Sequence, residues 1–253
     1  MLTELYGKSG TFCQPAKDGK IRCPLNVRPT SEDVITGELF GVLSVLNPRW
    51  WLPDLLNHAL DAQRFRRQVF RKFKVSTWEK QTEFPREFIL WKEGRTEVDA
   101  LLRWENPQTT VFVEMKYKAK LSPSTTHHSG NNGFASDQLI RNIRIALWKQ
   151  GYYRESRLFE IPKRDLVVLL VTPHGRSPLV AQYRDLDFLR TKLPRADQIE
   201  LPKKPFLGEL SYRDIVRILR RQQKWFLLPE QKLIDRLCAY LEMKLRVLKR
   251  QKP

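Results

Sequence analysis

The sequence predicts an α/β protein with a mixed central sheet flanked by helices and extended by a basic helical C-terminal region. Three patterns indicate it: apolar residues at helical spacing from residue 34, alternation with period two between 73 and 118, and a continuous apolar run at 166–171. A helical pattern lies between the last two strands, which implies a right-handed crossover and a parallel pair. Hydrophobic residues make up 41% of the 253 residues, which is enough to bury a core.

Near the N-terminus, the sequence predicts a short non-helical segment followed by two helices. Residues 1–30 are expected to be irregular or to form a β-hairpin, and 31–180 to form the core. A capping-box spacing at 30–33 predicts the first helix start, and Asn47-Pro48 predicts its end. A second, leucine-rich helix is expected from about Trp51 to Arg67.

Strand patterns follow this helical pair. Residues 73–84 are β-like with broken alternation, and 96–104 and 110–118 form strands on either side of a turn cluster at 105–109. A mobile loop is expected at 121–135, then a helix from Ser136 to about Lys149. The apolar run at 166–171 is typical of a central strand covered on both faces.

Residues 181–253 are expected to form a basic helical region that packs on the core, with breaks near 194–205. Five cations in it recur at intervals of three or four, which places most of them along one helix face. They are either a solvated face or contacts to phosphate: Arg213, Arg217, Arg220, Arg221 and Lys224.

The net charge predicts an anionic partner. Lys plus Arg number 46 against 28 Asp plus Glu, a formal charge of +18. Nucleic acid is the favoured partner because phosphate contacts release counterions, and an anionic membrane surface is the rival. No stretch approaches eighteen consecutive apolar residues, and residues 1–10 lack a signal pattern, so we expect no membrane span.

The three cysteines favour a reducing, cytoplasmic compartment, because their number is odd and low. Cys13 and Cys23 can flank a hairpin around Asp18-Gly19. No further zinc ligand lies near them at a suitable spacing, so all three cysteines, Cys238 included, are expected to be structural thiols.

A carboxylate–lysine cluster is the main chemical signal. Alternation places Asp99 on one face of its strand and Glu114 and Lys116 on one face of the next. A turn near Pro107 pairs Asp99 with either Glu114 or Met115, and the first register brings the two carboxylates to about 5 Å at Cβ. Like charges in that position call for a cation between them. Mg²⁺ suits such oxygen ligands, and a neighbouring ammonium can position or deprotonate water and stabilise developing charge.

The motif Glu97-Val-Asp99, the triplet Glu114-Met-Lys116 and the helix at Ser136 together resemble the PD-(D/E)XK nuclease superfamily over roughly residues 31–173. The resemblance implies a restriction-endonuclease-like fold. It implies that Asp99 and Glu114 bind the metal, with the Met115 carbonyl also facing it, and that Lys116 is catalytic. Val98 stands where the family name places proline.

The resemblance also suggests residues on the flanking helices. Glu38 is the candidate for the carboxylate that the family often carries on the helix before the strands, as a further metal ligand. Gln138 matches a glutamine of the exonuclease branch, but Asn142 stands where that branch has tyrosine. One turn after Gln138, Arg141 is a candidate phosphate contact.

His127 and His128 in the loop after the catalytic strand are substrate contacts, a general base or ordinary solvated residues. The expected function is Mg²⁺- or Mn²⁺-dependent endonucleolytic hydrolysis of DNA, alone or within a DNA-processing, mobile-element or defence complex. The preference for DNA over RNA as the substrate follows from the resemblance. The alternative is a basic nucleic-acid-binding protein without catalysis. A homodimer is plausible because one centre that cuts both strands usually requires a second copy.

Overall fold

The central sheet of the computed structural model has five strands and mixed orientation. The structure describes residues 14–15, 21–22, 32–81, 84–85, 96–117, 137–155 and 161–250. The strands of this sheet are β3 Arg71–Lys80, β4 Glu97–Glu105, β5 Thr109–Met115, β6 Asp165–Thr172 and β7 Leu207–Ser211. They lie side by side in chain order, with β3–β4 and β4–β5 antiparallel and β5–β6 and β6–β7 parallel. The α/β class with a mixed sheet is therefore confirmed.

A separate two-stranded ladder precedes this sheet. β1 (Gln14–Pro15) pairs antiparallel with β2 (Ile21–Arg22), which agrees with the β-hairpin alternative for this segment. Cys13, Cys23 and the expected turn at 18–19 lie outside the described residues.

Seven α-helices flank the sheet within the part of the chain that the structure describes. In that part no helix combines the length and apolar character needed to cross a membrane. The helices are α1 Glu32–Val45, α2 Pro48–Leu60, α3 Gln138–Lys149, α4 Pro178–Arg184, α5 Leu186–Lys192, α6 Tyr212–Gln222 and α7 Leu228–Arg250.

The helix boundaries follow from local capping. Pro48 occupies the first turn of α2, and the Asn47 side chain accepts a hydrogen bond from the Arg49 amide at 3.1 Å. Asp61 adopts a left-handed conformation (φ 49°) and ends α2 at Leu60, so the expectation that this helix reaches Arg67 was wrong. The Asp137 carboxylate caps α3 by accepting from the amide of Ile140 at 2.9 Å.

The sheet separates two apolar layers. Helices α1, α2, α6 and α7 cover the face that carries Leu102, Val113 and Leu169. Helices α3, α4 and α5 cover the opposite face, where Phe112 and Leu170 are buried. This alternation is the one predicted for β4 and β5, and the continuous run in β6 is buried on both faces as expected.

Strand β7 corrects the expectation of a purely helical C-terminal region. Residues 207–211 pair with β6, with Val168 opposite Leu207, and form the edge of the sheet. A Cβ on Gly208 would lie 2.7 Å from the Ala59 carbonyl oxygen, so glycine permits the close approach of α2. The other C-terminal elements are helical and pack on the sheet as predicted.

Candidate active site

The register of β4 and β5 brings two carboxylates together at one end of the sheet. Ala100 lies opposite Val113, where the paired part of the two strands ends, and this offset is that of the first of the two predicted registers. Asp99 and Glu114, the next residue on each strand, line one cavity. Asp99 Oδ2 accepts a hydrogen bond from the Met115 amide at 2.7 Å. The backbone of one strand therefore fixes the carboxylate of the other. The Met115 amide makes this contact, while a metal contact from its carbonyl stays a prediction.

Lys116 follows the last residue of β5 and lies between two carboxylates. Its Nζ is 2.7 Å from Glu114 Oε1 and 3.3 Å from Glu32 Oε2. Burial by itself would lower the pKa of Lys116, but the adjacent Glu114 and then Glu32 outweigh it and raise the pKa. The lysine is therefore held as an ammonium ion.

The backbone around Lys116 is held from two sides. Its amide donates to the Val171 carbonyl of β6 at 2.8 Å. Its carbonyl accepts from the hydroxyl of Tyr212, the first residue of α6, at 3.1 Å. Burial raises the pKa of Tyr212, so the hydroxyl remains protonated as a donor. These two bonds fix the position from which the lysine side chain reaches Glu114.

A cavity of about 200 Å³ opens beside the two carboxylates. Asn142 of α3 is 1% exposed and donates from Nδ2 to Glu114 Oε2 at 2.8 Å. Because an ionised carboxylate only accepts, this bond fixes which atom of the amide is oxygen. Asn142 Oδ1 is buried and has no hydrogen-bond partner among the described residues. The cavity is lined by Thr96, Glu97, Asp99, Glu114, Gln138, Arg141 and Asn142.

The donor set fits a hard divalent cation. Among the described residues, no three His, Cys, Asp or Glu side chains come together as a metal-binding group. Mg²⁺, however, is commonly held by only one or two carboxylates and keeps several waters. Asp99, Glu114 and the unsatisfied oxygen of Asn142 provide such a set, since a buried amide oxygen without a partner is costly unless a ligand satisfies it.

Glu32 of α1 contacts the residues that follow β5. Glu32 accepts from the Tyr117 amide at 3.3 Å in addition to its contact with Lys116. Glu38 lies half-buried six residues further on, about 9 Å along the axis and roughly 120° away around the helix. Glu38 does not line the cavity. Its metal role stays a prediction.

Two predicted residues of α3 do line the cavity. Gln138 is the exposed first residue of the helix, and Arg141 lies one turn further on. His127 and His128 lie outside the described residues.

The basic residues of α6 mostly have acidic partners within the protein. Arg217 contacts Asp214 at 2.8 Å, Arg220 contacts Glu242 at 2.9 Å and Arg221 contacts Asp54 at 2.8 Å. A phosphate would have to compete with these carboxylates. Arg213 is exposed at the start of the helix, and Lys224 lies over the ring of Trp225. Phosphate binding by this face stays a prediction.

Sequence reasoning missed three residues of the site. Glu32 was used only as part of a helix-start signature, and Tyr212 carried no local signal. Asn142 was noted only as a missing tyrosine. Its position four residues after Gln138, on the same side of an amphipathic helix, was a signal that it faces the same cavity.

Comparison of the chain with family models, with curated proteins and with solved structures gave no match. The chemistry of the site is therefore inferred from its own geometry.

Proposed function

We propose that the protein is a metal-dependent nuclease of the PD-(D/E)XK type that hydrolyses DNA phosphodiester bonds. The observation that carries the proposal is the position of Asp99, Glu114 and Lys116 where β4 begins and β5 ends, beside a polar cavity. The order of a helix, an antiparallel strand pair, a helix and a parallel strand agrees with the restriction-endonuclease-like fold that the motifs imply.

Asp99, Glu114 and Asn142 Oδ1 would hold the cation. A bound Mg²⁺ or Mn²⁺ supplies an activated water and neutralises charge on the scissile phosphate. The Lys116 ammonium, fixed against Glu114, orients the attacking water by hydrogen bonding and stabilises the negative charge that develops on phosphate. Arg141 lines the cavity and would contact a non-bridging phosphate oxygen.

The substrate class rests on charge and on the resemblance. A net charge of +18 favours a polyanion, and the cavity holds polar groups suited to a phosphate rather than an apolar ligand. DNA is preferred to RNA because the superfamily usually acts on DNA.

A homodimer on DNA is a separate part of the proposal. Sedimentation velocity with and without DNA tests whether a second copy of the chain joins the complex.

Plasmid cleavage in Mg²⁺ and in Mn²⁺ tests the proposal. We expect Asp99→Asn and Lys116→Ala to lose cleavage at least a hundredfold while retaining DNA binding in a mobility-shift assay. Asp187→Asn, a change to an exposed carboxylate of α5, is the matched control and is expected to cut normally.

One observation favours a second candidate, a nucleic-acid-binding protein without catalysis. Lys116 and Asn142 already satisfy Glu114, so the carboxylate has a structural role without any metal. This candidate predicts DNA binding without cleavage in every divalent metal and no Mn²⁺ binding. Such a result for well-folded wild-type protein would overturn the nuclease proposal.

A further inference from the structure

A second concave surface lies at the opposite end of α1 from the candidate active site. It is an open groove of about 850 Å³ formed by the end of α1, the start of α2, residues 66–73 and the turn at 222–225. Ser44 lines it, twelve residues along α1 from Glu32, which corresponds to about 18 Å. The groove is therefore distinct from the cavity around Glu114.

A stacked pair of tryptophans forms one wall of this groove. The rings of Trp50 and Trp225 lie 5.4 Å apart at an interplanar angle of 15°. Arg49 lies over Trp50 at 5.1 Å and Lys224 over Trp225 at 5.2 Å. Trp225 is nevertheless 54% exposed. The groove thus offers a preformed aromatic surface with cations beside it.

Exposed aliphatic side chains occur in or next to the segments that form the groove. Val69 lines the groove and is 63% exposed. Val45 is 62% exposed between two lining residues, and Leu227 and Leu228, just after Trp225, are each 73% exposed. Single exposed apolar residues are ordinary, but a group of them around a concavity marks an interaction site.

The charge of the groove is positive. Arg49, Arg66 and Arg67 line it, and neither Arg66 nor Arg67 forms an ion pair with any described residue. Asp54 is the acidic lining residue, and it already accepts from Arg221 at 2.8 Å and from the Gln222 amide. The cations therefore remain available to an acidic ligand.

We propose that this groove binds an acidic segment of a partner protein that carries large apolar side chains. Tryptophan and arginine are the residues that most often dominate the energy of protein interfaces. The exposed valines and leucines gain by burial against apolar side chains, whereas they contribute little to binding a sugar-phosphate chain. This combination favours a protein over a nucleic acid, and it does not depend on the proposed nuclease function.

Selection of random 16-residue peptides displayed on phage against the full-length protein tests the proposal. Enriched sequences should be rich in Asp and Glu and carry Leu, Phe or Trp. A synthetic peptide of that kind should bind at least tenfold more weakly to Trp225→Ala and to Arg67→Glu, as measured by fluorescence anisotropy. Met243→Ala and Arg190→Glu are matched exposed controls and should bind normally.

Several results would overturn the proposal. One is the absence of acidic, apolar peptides among the selected sequences. Another is equal binding of such a peptide by wild type and by Arg67→Glu, a surface change that keeps the test valid if Trp225→Ala fails to fold. If Trp225→Ala instead abolishes binding of a (dT)₂₀ oligonucleotide, the occupant is nucleic acid. If it abolishes a concentration-dependent dimer, the occupant is a second copy of the chain.

Discussion

Replacing Lys116 by methionine keeps the length of the side chain and removes its charge. The change deletes the 2.7 Å contact with Glu114 and the 3.3 Å contact with Glu32. Glu114 is 3% exposed and keeps only the amide of Asn142 among the contacts described above. Glu32 has a side chain that is 27% exposed, so water can solvate it. The cost of the substitution therefore falls mainly on Glu114.

The magnitude follows from the burial of that carboxylate. Removing one partner of a buried ion pair typically costs about 3–5 kcal/mol, because the remaining charge is uncompensated. In a chain of this size each kcal/mol lowers the melting temperature by about 2–4 °C, so we expect a fall of roughly 10 °C. The double variant Lys116→Met with Glu114→Gln removes the buried charge as well, and should regain more than half of that loss.

Differential scanning fluorimetry in EDTA measures these shifts without any catalytic step. Lys203→Met, at an exposed lysine, is the matched control and should melt within about 2 °C of wild type. If Lys116→Met melts within the same range, or if the double variant is less stable than the single one, the buried ion pair described here is incorrect.

Three further predictions concern separate groups. Asn142→Leu removes both the hydrogen bond to Glu114 and the unsatisfied Oδ1, two opposed effects of about 1–3 kcal/mol each. The free energy of unfolding in urea should therefore change by less than about 1 kcal/mol, while the affinity for Mn²⁺, measured by calorimetry, falls. Unchanged Mn²⁺ affinity would exclude the amide as a ligand. Glu79→Gln should lower the free energy of unfolding by less than about 1 kcal/mol at pH 7, because the Arg103 hydrogen bond lowers the pKa of Glu79. The effect is present above the ordinary glutamate pKa and should disappear as the pH falls through the lowered pKa; urea unfolding at acidic pH that still separates the variant from wild type after Glu79 is protonated would contradict it. Burial raises the pKa of the Cys238 thiol to about 11, so iodoacetamide at pH 8 should label it only after unfolding, as read by peptide mass mapping; rapid native labelling would show that the site opens.

The parts of the fold that local patterns determine were predicted correctly. Alternation in β4 and β5 gave the two faces, and the short turn between the strands restricted the register to two alternatives. The helix predicted from Ser136 begins two residues later, at Gln138, because Asp137 caps it. Strand β7 was missed because its five residues become a strand only by pairing with the exposed edge of β6, which no local pattern reveals.

The candidate site also contains residues that local patterns indicate and residues that they do not. Asp99 and Glu114 lie on neighbouring strands and line one cavity, so alternation and a short turn were sufficient to predict that they lie near each other. Glu32 contacts Lys116 across 84 residues and Tyr212 does so across 96. Such contacts depend on how whole helices pack against the sheet. Composition and spacing therefore predicted the carboxylates but not the groups that hold the lysine.

The C-terminal helices bear directly on the geometry of the site, although the sequence suggested only that they pack on a core. The Tyr212 hydroxyl holds the carbonyl of Lys116, and the Tyr117 hydroxyl donates to the Lys244 carbonyl of α7 at 3.0 Å. The rings of Tyr117 and Tyr212 stack with centroids 6.4 Å apart. Because α6 and α7 thus fix the two residues after β5, a chain that ends near residue 180 would lose both the edge strand of the sheet and the support that orients Lys116 toward Glu114.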